Sequence, residues 1–200
     1  MKINKDNTLI IYDWDDTLFP TSWIVNNDID LTDPNTRSEN VYVFKRLDDC
    51  VFNLLKKSLE LGEVIIITNA MPEWVYLSCS VLIDTQEIIK NIKVISSRKN
   101  YQNKTEMINW KLNTFLDEFN NIIKKKSIKN IISIGDATYE YYALINLFKE
   151  QKNYYDRLLK SVQFIKSPSN ELLMNEIKLL FDNINDICNN CEHLDLDMSK

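Results

Sequence analysis

Residues 8–18, Thr-Leu-Ile-Ile-Tyr-Asp-Trp-Asp-Asp-Thr-Leu, run from a short apolar stretch straight into acid. Leu9–Tyr12 is bulky and shows no polar alternation, which predicts a strand buried on both faces. Asp13, Asp15 and Asp16 then crowd into four positions, with Thr17 behind them. Crowded like charges repel unless a bound cation offsets the repulsion. If the chain stays extended beyond Tyr12, Asp13 and Asp15 point to one side and Trp14 to the other. The C-terminal end of a strand in an open α/β sheet is where ligands bind.

Outward from this strand, four further runs rich in Ile and Val predict strands: Val64–Ile67, Ile92–Ile95, Ile131–Ile134 and Val162–Ile165. Helical stripes separate them. Phe44, Leu47, Val51, Leu54 and Leu55 form one that Gly62 ends, and Pro72 opens another through Leu82. Ile108, Leu112, Phe115, Leu116, Phe119 and Ile123 make a third, with more helix expected over 138–150 and 169–183. Strands alternating with helices predict a doubly wound, Rossmann-like α/β fold with a central parallel sheet of about five strands. The expected organisation is a single domain over 1–183 and a frayed polar tail over 184–200. Residues 20–40 lack periodicity and read as a long loop beside the acidic turn.

Composition narrows the function. The net charge of −5 offers no general attraction to nucleic acid or anionic membrane. Only 2 glycines are present, which excludes glycine-rich phosphate loops and the dinucleotide fingerprint. No leader and no membrane span is expected, and Cys50, Cys79, Cys188 and Cys191 do not form a disulfide framework, so the expected location is cytoplasmic.

Asp13-x-Asp15-x-Thr17 at the end of the first strand resembles motif I of the haloacid dehalogenase superfamily of phosphohydrolases. Ile65-Ile66-Ile67-Thr68-Asn69 is similar to its motif II, and Ile131-Ile132-Ser133-Ile134-Gly135-Asp136, trailed by Glu140, to its motif IV. A lysine is expected between these, early in a helix. Lys111, 25 positions before Asp136, suits one helix and a connection, with Lys104 as the alternative. The resemblance covers roughly residues 8–166.

The resemblance implies a Mg²⁺-dependent phosphatase without a large cap domain. Asp13 would be the nucleophile that becomes an aspartyl phosphate, and Asp15 the general acid and base. Mg²⁺ would sit on the Asp13 carboxylate, the Asp15 carbonyl and Asp136. Thr68, Asn69 and Lys111 would bind the phosphoryl group, and Glu140 would act from behind. Asp16 belongs to the turn. The short spans between motifs leave no room for a cap, which implies an open site and, by resemblance, large substrates such as phosphoproteins or polynucleotide 3′-phosphates. Trp14, Phe19 and Trp23 are candidates for lining its entrance, although Trp14 and Trp110 suit a core equally well.

Other readings compete. As a calcium loop, Asp13-x-Asp15 would want Gly and Glu where Leu18 and Ile24 stand. Cys188, Cys191 and His193 have zinc-like spacing without a fourth ligand. Residues 124–129 form a basic cluster that suits a solvated helix end or a nucleic-acid contact. An inert scaffold on the same fold is the chief rival function. A signalling receiver also phosphorylates an aspartate, but after its third strand.

Overall fold

A computed structural model of the chain describes residues 2–123, 126–150 and 157–198. Six parallel strands form one sheet: β1 (Thr8–Tyr12), β2 (Glu63–Thr68), β3 (Lys93–Ser96), β4 (Asn130–Gly135), β5 (Leu158–Gln163) and β6 (Leu194–Asp197). Their spatial order is β3-β2-β1-β4-β5-β6, so the chain starts in the middle and winds out in both directions. The helices are α1 (Thr21–Asn26), α2 (Pro34–Glu39), α3 (Val41–Leu61), α4 (Pro72–Cys79), α5 (Ile83–Ile89), α6 (Ser97–Tyr101), α7 (Trp110–Ile123), α8 (Thr138–Glu150) and α9 (Asn170–Asn189).

The two-residue period of the strands sorts the core into two halves. Ile10 and Tyr12 join Leu47, Leu54, Leu180 and Ile184, which α3 and α9 bring to one face. Leu9 and Ile11 join Phe115, Phe119, Leu144 and Leu147 from α7 and α8 on the other. Burial on both faces explains why these strands read as unbroken apolar runs. Two buried polar side chains on the α3 face are paired: the Tyr12 hydroxyl meets Ser58 Oγ at 2.8 Å, and the Trp14 indole donates to Ser78 Oγ at 2.8 Å. Buried Asp48 accepts from the backbone N–H of Asp84 and Thr85 at 2.9 and 2.8 Å and so ties the start of α5 to α3.

Several expectations need correction. The sheet has six strands, and the expected tail is ordered: α9 continues to Asn189, and Leu194–Asp197 pair with β5. The fifth strand begins four residues earlier than its apolar run, because Lys160 lies inside it. Lys160 is fully buried, and its ammonium donates to the carbonyls of Ile187, Cys188 and Asn190 at 2.7, 2.9 and 2.7 Å. The expected helix from Pro72 through Leu82 stops at Cys79, and α5 starts afresh at Ile83. The expected loop over 20–40 holds two short helices. Asp33 caps α2, accepting from the N–H of Asn35 and Thr36, with Pro34 at its first position. Trp14 and Phe19 are fully buried, so neither lines an entrance, whereas Trp23 is half-buried. Lys124 and Lys125 of the basic cluster lie outside the described residues.

Candidate active site

The acidic segment departs from the extended path at Trp14. The carbonyl of Trp14 accepts from the N–H groups of Thr17, Leu18 and Phe19, and Asp16 takes φ of 53°, which turns the chain away from the sheet. Asp13 alone continues the strand, its N–H donating to the Ile134 carbonyl of β4 at 2.9 Å. This bond sets Asp13 beside Gly135 and Asp136 at the C-terminal edge of the sheet. The carboxylates therefore gather because a parallel register joins the first strand to one formed more than a hundred residues later.

Lys111 enters this group from α7. Its Nζ lies 2.8 Å from Asp13 Oδ2 and also donates to Glu140 Oε1. A short 3-10 turn over Met107–Asn109 makes Trp110 the first residue of α7, so Lys111 stands in the first turn and reaches the strand tips. Lys104, the alternative, lies over the Tyr101 ring at 5.3 Å. Glu140 holds its place in the first turn of α8, with Oε2 accepting from Ala137 N–H at 3.2 Å. Gly135 makes this approach possible, since a Cβ there would fall inside contact distance of the Glu140 side chain.

Thr68 stands at the tip of β2, fully buried, accepting from Ala70 N–H at 3.0 Å. That leaves its hydroxyl hydrogen to donate. Asn69 follows, with a buried Oδ1 that has no partner. Asp15 turns towards α1 and α4, accepting from Thr21 Oγ1 at 2.5 Å and from the Trp74 indole at 2.7 Å. Trp74 also packs edge-on against Phe19, their centroids 6.0 Å apart. Asp16 is occupied by Ser22, whose N–H donates at 2.8 Å and whose hydroxyl donates to the other oxygen, in keeping with a turn residue.

Thr21 and Trp74 are site residues that sequence reasoning missed as partners of Asp15. Pro72 was the available signal, because a proline at the first helical position places the residue two further on in the first turn. The site is also tighter than a capless plan suggests. Asp13 is only 5 % exposed, with α1 and Trp74 reaching across Asp15.

The electrostatics follow from one cation, Lys111, facing four acids: Asp13, Glu140, Asp15 and Asp136. Burial alone would push the Lys111 ammonium down, but Asp13 and then Glu140 override it and hold it above its usual range. Asp136 is pushed up to about 8, first by burial and then by Asp13 and Glu140. Burial, followed by the Asp13 charge, also raises Asp15 against the bonds from Thr21 and Trp74. The cluster thus carries more negative charge than its protein surroundings answer.

These residues fit a hard divalent cation. Asp13 Oδ1 is buried without a hydrogen-bond partner, and the Asp15 carbonyl accepts none among the described residues. Among the described residues no three His, Cys, Asp or Glu side chains gather as a metal site on their own. A Mg²⁺ site on two carboxylates and one carbonyl, completed by water, does not need three. Cys188, Cys191 and His193 do not converge: Cys188 is buried against the core, Cys191 is exposed, and His193 Nδ1 accepts from Leu159 N–H at 3.1 Å.

No family model, curated protein or solved structure matches this chain. Among the described residues no helix is long and apolar enough to cross a membrane.

Proposed function

We propose that the chain is a phosphomonoester hydrolase of the haloacid dehalogenase type, working through an aspartyl phosphate on Asp13. The observation that carries this reading is the Lys111 bridge: its ammonium fixes Asp13 Oδ2 at 2.8 Å while Asp13 Oδ1 stays buried and unpartnered. A carboxylate oriented in this way keeps Oδ1 for the cation and offers Oδ2, beside the phosphoryl-binding Lys111, for nucleophilic attack.

The Asp13 carboxylate attacks phosphorus and the ester P–O bond breaks. The departing alcohol oxygen takes a proton from Asp15, which burial keeps protonated to a higher pH than an exposed carboxyl. Asp15, now a carboxylate, removes a proton from a water whose oxygen attacks the phosphorus. The bond between phosphorus and the Asp13 oxygen breaks, inorganic phosphate leaves, and both carboxyl groups return to their starting states. Thr68 and Lys111 stabilise the charge on the phosphoryl oxygens, Asn69 binds beside them, and Glu140 holds Lys111 in place. Mg²⁺, held by Asp13, Asp136 and the Asp15 carbonyl, would neutralise the approach of one anion to another. The free cysteines support a cytoplasmic setting.

The test is phosphate release from a simple aryl phosphate, with Mg²⁺ or with EDTA. Wild type should turn over only with the metal, and Asp13→Asn should lose at least about 10³-fold. Undiminished turnover by Asp13→Asn would remove the mechanism, and turnover unaffected by EDTA would remove the metal.

A further inference from the structure

A cavity of about 340 Å³ opens beside the site, between the β2–β3 end of the sheet and helices α4 and α5. Its walls include Thr68, Val75, Cys79, Gln86, Ile89 and Val94. Thr68 belongs both to this cavity and to the proposed phosphoryl site. Register places Ser96 opposite Thr68 and Val94 opposite Ile66, so the cavity runs from the strand tips down one face of the sheet.

Its polar groups are largely committed elsewhere. Ser96 donates to the Ala70 carbonyl at 2.6 Å and accepts from Lys99 N–H at 3.0 Å, and Lys90 pairs with Glu87 at 2.6 Å. Thr68 accepts from Ala70 and retains only its hydroxyl hydrogen, at the end nearest Asp13. Gln86 supplies the one uncommitted amide. A sugar placed here would bury hydroxyls without partners, at a large cost in specificity. An alkyl or aryl group would displace water from apolar walls, in a cavity of the size small-molecule sites have.

We infer that this cavity holds the organic part of the substrate, and that the substrate is a phosphomonoester of an apolar alcohol or phenol. The inference rests on the phosphatase reading for the position of the phosphate, and deepens it by naming what the phosphate is attached to. The ester oxygen lies at the Thr68 end, and the hydrocarbon extends along Val75, Cys79 and Ile89. Selectivity comes from walls whose buried polar groups are committed to the protein, with Gln86 and the exposed Tyr76 left to accommodate a polar substituent.

The experiment uses the full chain with Mg²⁺ and a series of methyl, propyl, hexyl and phenyl phosphates, against a hexose phosphate. kcat/KM should rise about threefold to fourfold per added methylene until the cavity is full. The hexose phosphate should fall with methyl phosphate or below it. Ile89→Trp, at the half-buried rim, should abolish the chain-length gain, so that in this variant hexyl phosphate is turned over no better than methyl phosphate. Val94→Trp on the edge strand offers a second way to fill the space. Calorimetric binding of methyl and hexyl phosphonates reads the same preference without turnover.

Turnover of methyl phosphate with no gain from longer chains would overturn the inference and leave the phosphatase standing. Phosphonate binding that strengthens with chain length and is lost in Ile89→Trp, without hydrolysis of any ester, would uphold the apolar site and remove the hydrolase. A dimer that Ile89→Trp converts to monomer would overturn the inference by showing that a second copy fills the cavity.

Discussion

Lys111 and Lys160 are 2 % and 0 % exposed, yet they answer burial in opposite ways. Lys111 lies among carboxylates at the C-terminal edge of the sheet, and they hold its proton on. Lys160 sits near the start of β5 and meets neutral carbonyls at the end of α9. Burial pushes it down to about 8. Its three donors satisfy carbonyls that a helix end leaves unpaired, and its charge suits the negative end of the helix dipole. One lysine holds together a group with surplus negative charge, which is what a reactive site needs. The other fastens a helix to a strand. Burial of a charge therefore does not identify a site; the charge of what surrounds it does.

The largest effects should separate the two lysines. Lys111→Met is expected to cost about 10²–10³ in turnover of an aryl phosphate, because a charge donor to the phosphoryl group is lost. It should also destabilise the metal-free protein by about 3–5 kcal/mol in urea, since Asp13 and Glu140 are left buried without their cation. Glu140→Gln in the same chain should restore part of the stability and none of the activity. A Lys111→Met variant with wild-type turnover would erase the distinction.

Lys160→Met should have the complementary profile. Stability should fall by about 2–3 kcal/mol as the bonds to the α9 carbonyls are lost. Turnover at saturating substrate should stay within about twofold, as expected for a residue remote from the chemistry. Loss of turnover without loss of stability would place Lys160 in the site after all.

Glu176 extends the comparison to an acid. It is 4 % exposed, accepts from Ile165 N–H at 2.8 Å, and has a second oxygen without a partner. Burial pushes its carboxyl up to about 7 from 4.5, against the pull of the Ile165 N–H. Folded Glu176 thus binds its proton more tightly than the unfolded chain does. The resulting stability is fully present below pH 4.5 and is lost as pH rises through 7. Wild type should lose about 2–3 kcal/mol across that window relative to Glu176→Gln. Parallel pH curves for the two proteins would show that the carboxyl ionises as freely as an exposed one.

The smallest effect belongs to the partner that sequence missed. Trp74→Phe removes a donor to the Asp15 carboxylate, so the Asp15 pKa should rise further and the alkaline limb of the kcat/KM profile, where the general acid loses its proton, should move to higher pH. The loss at the optimum should be about tenfold or less, the value of a single hydrogen bond. An unmoved alkaline limb would mean that Asp15 does not set it.

The parts legible in sequence share one property: their signal is local and repeated. Buried parallel strands write themselves as apolar runs, and β1, β2 and β4 were readable for that reason. Lys160 interrupted the run of β5, because its charge is answered by carbonyls almost thirty residues away. β6 alternates Leu with Asp, as an edge strand does, and so resembled a polar tail. α1 and α2, at 6 residues each, are too short for a period to show. Within the site, Asp13 and Asp136 stood at legible strand ends, and Lys111 was favoured over Lys104 by the family resemblance. Trp74 and Thr21 could not be placed, because their role depends on how α1 and α4 lie over the turn after Asp13, a matter of tertiary packing.

The strand order has a consequence for synthesis. β1 emerges first but lies in the middle, bonded on one side to β2 and on the other to β4. A nascent chain that has left the ribosome only as far as Ile123 already carries Asp13, Thr68 and Lys111, yet has neither Asp136 nor Glu140 to set against them. The cluster can therefore be completed only once β4 and the first turn of α8 have formed, when Asp136 and Glu140 join Asp13 and Lys111.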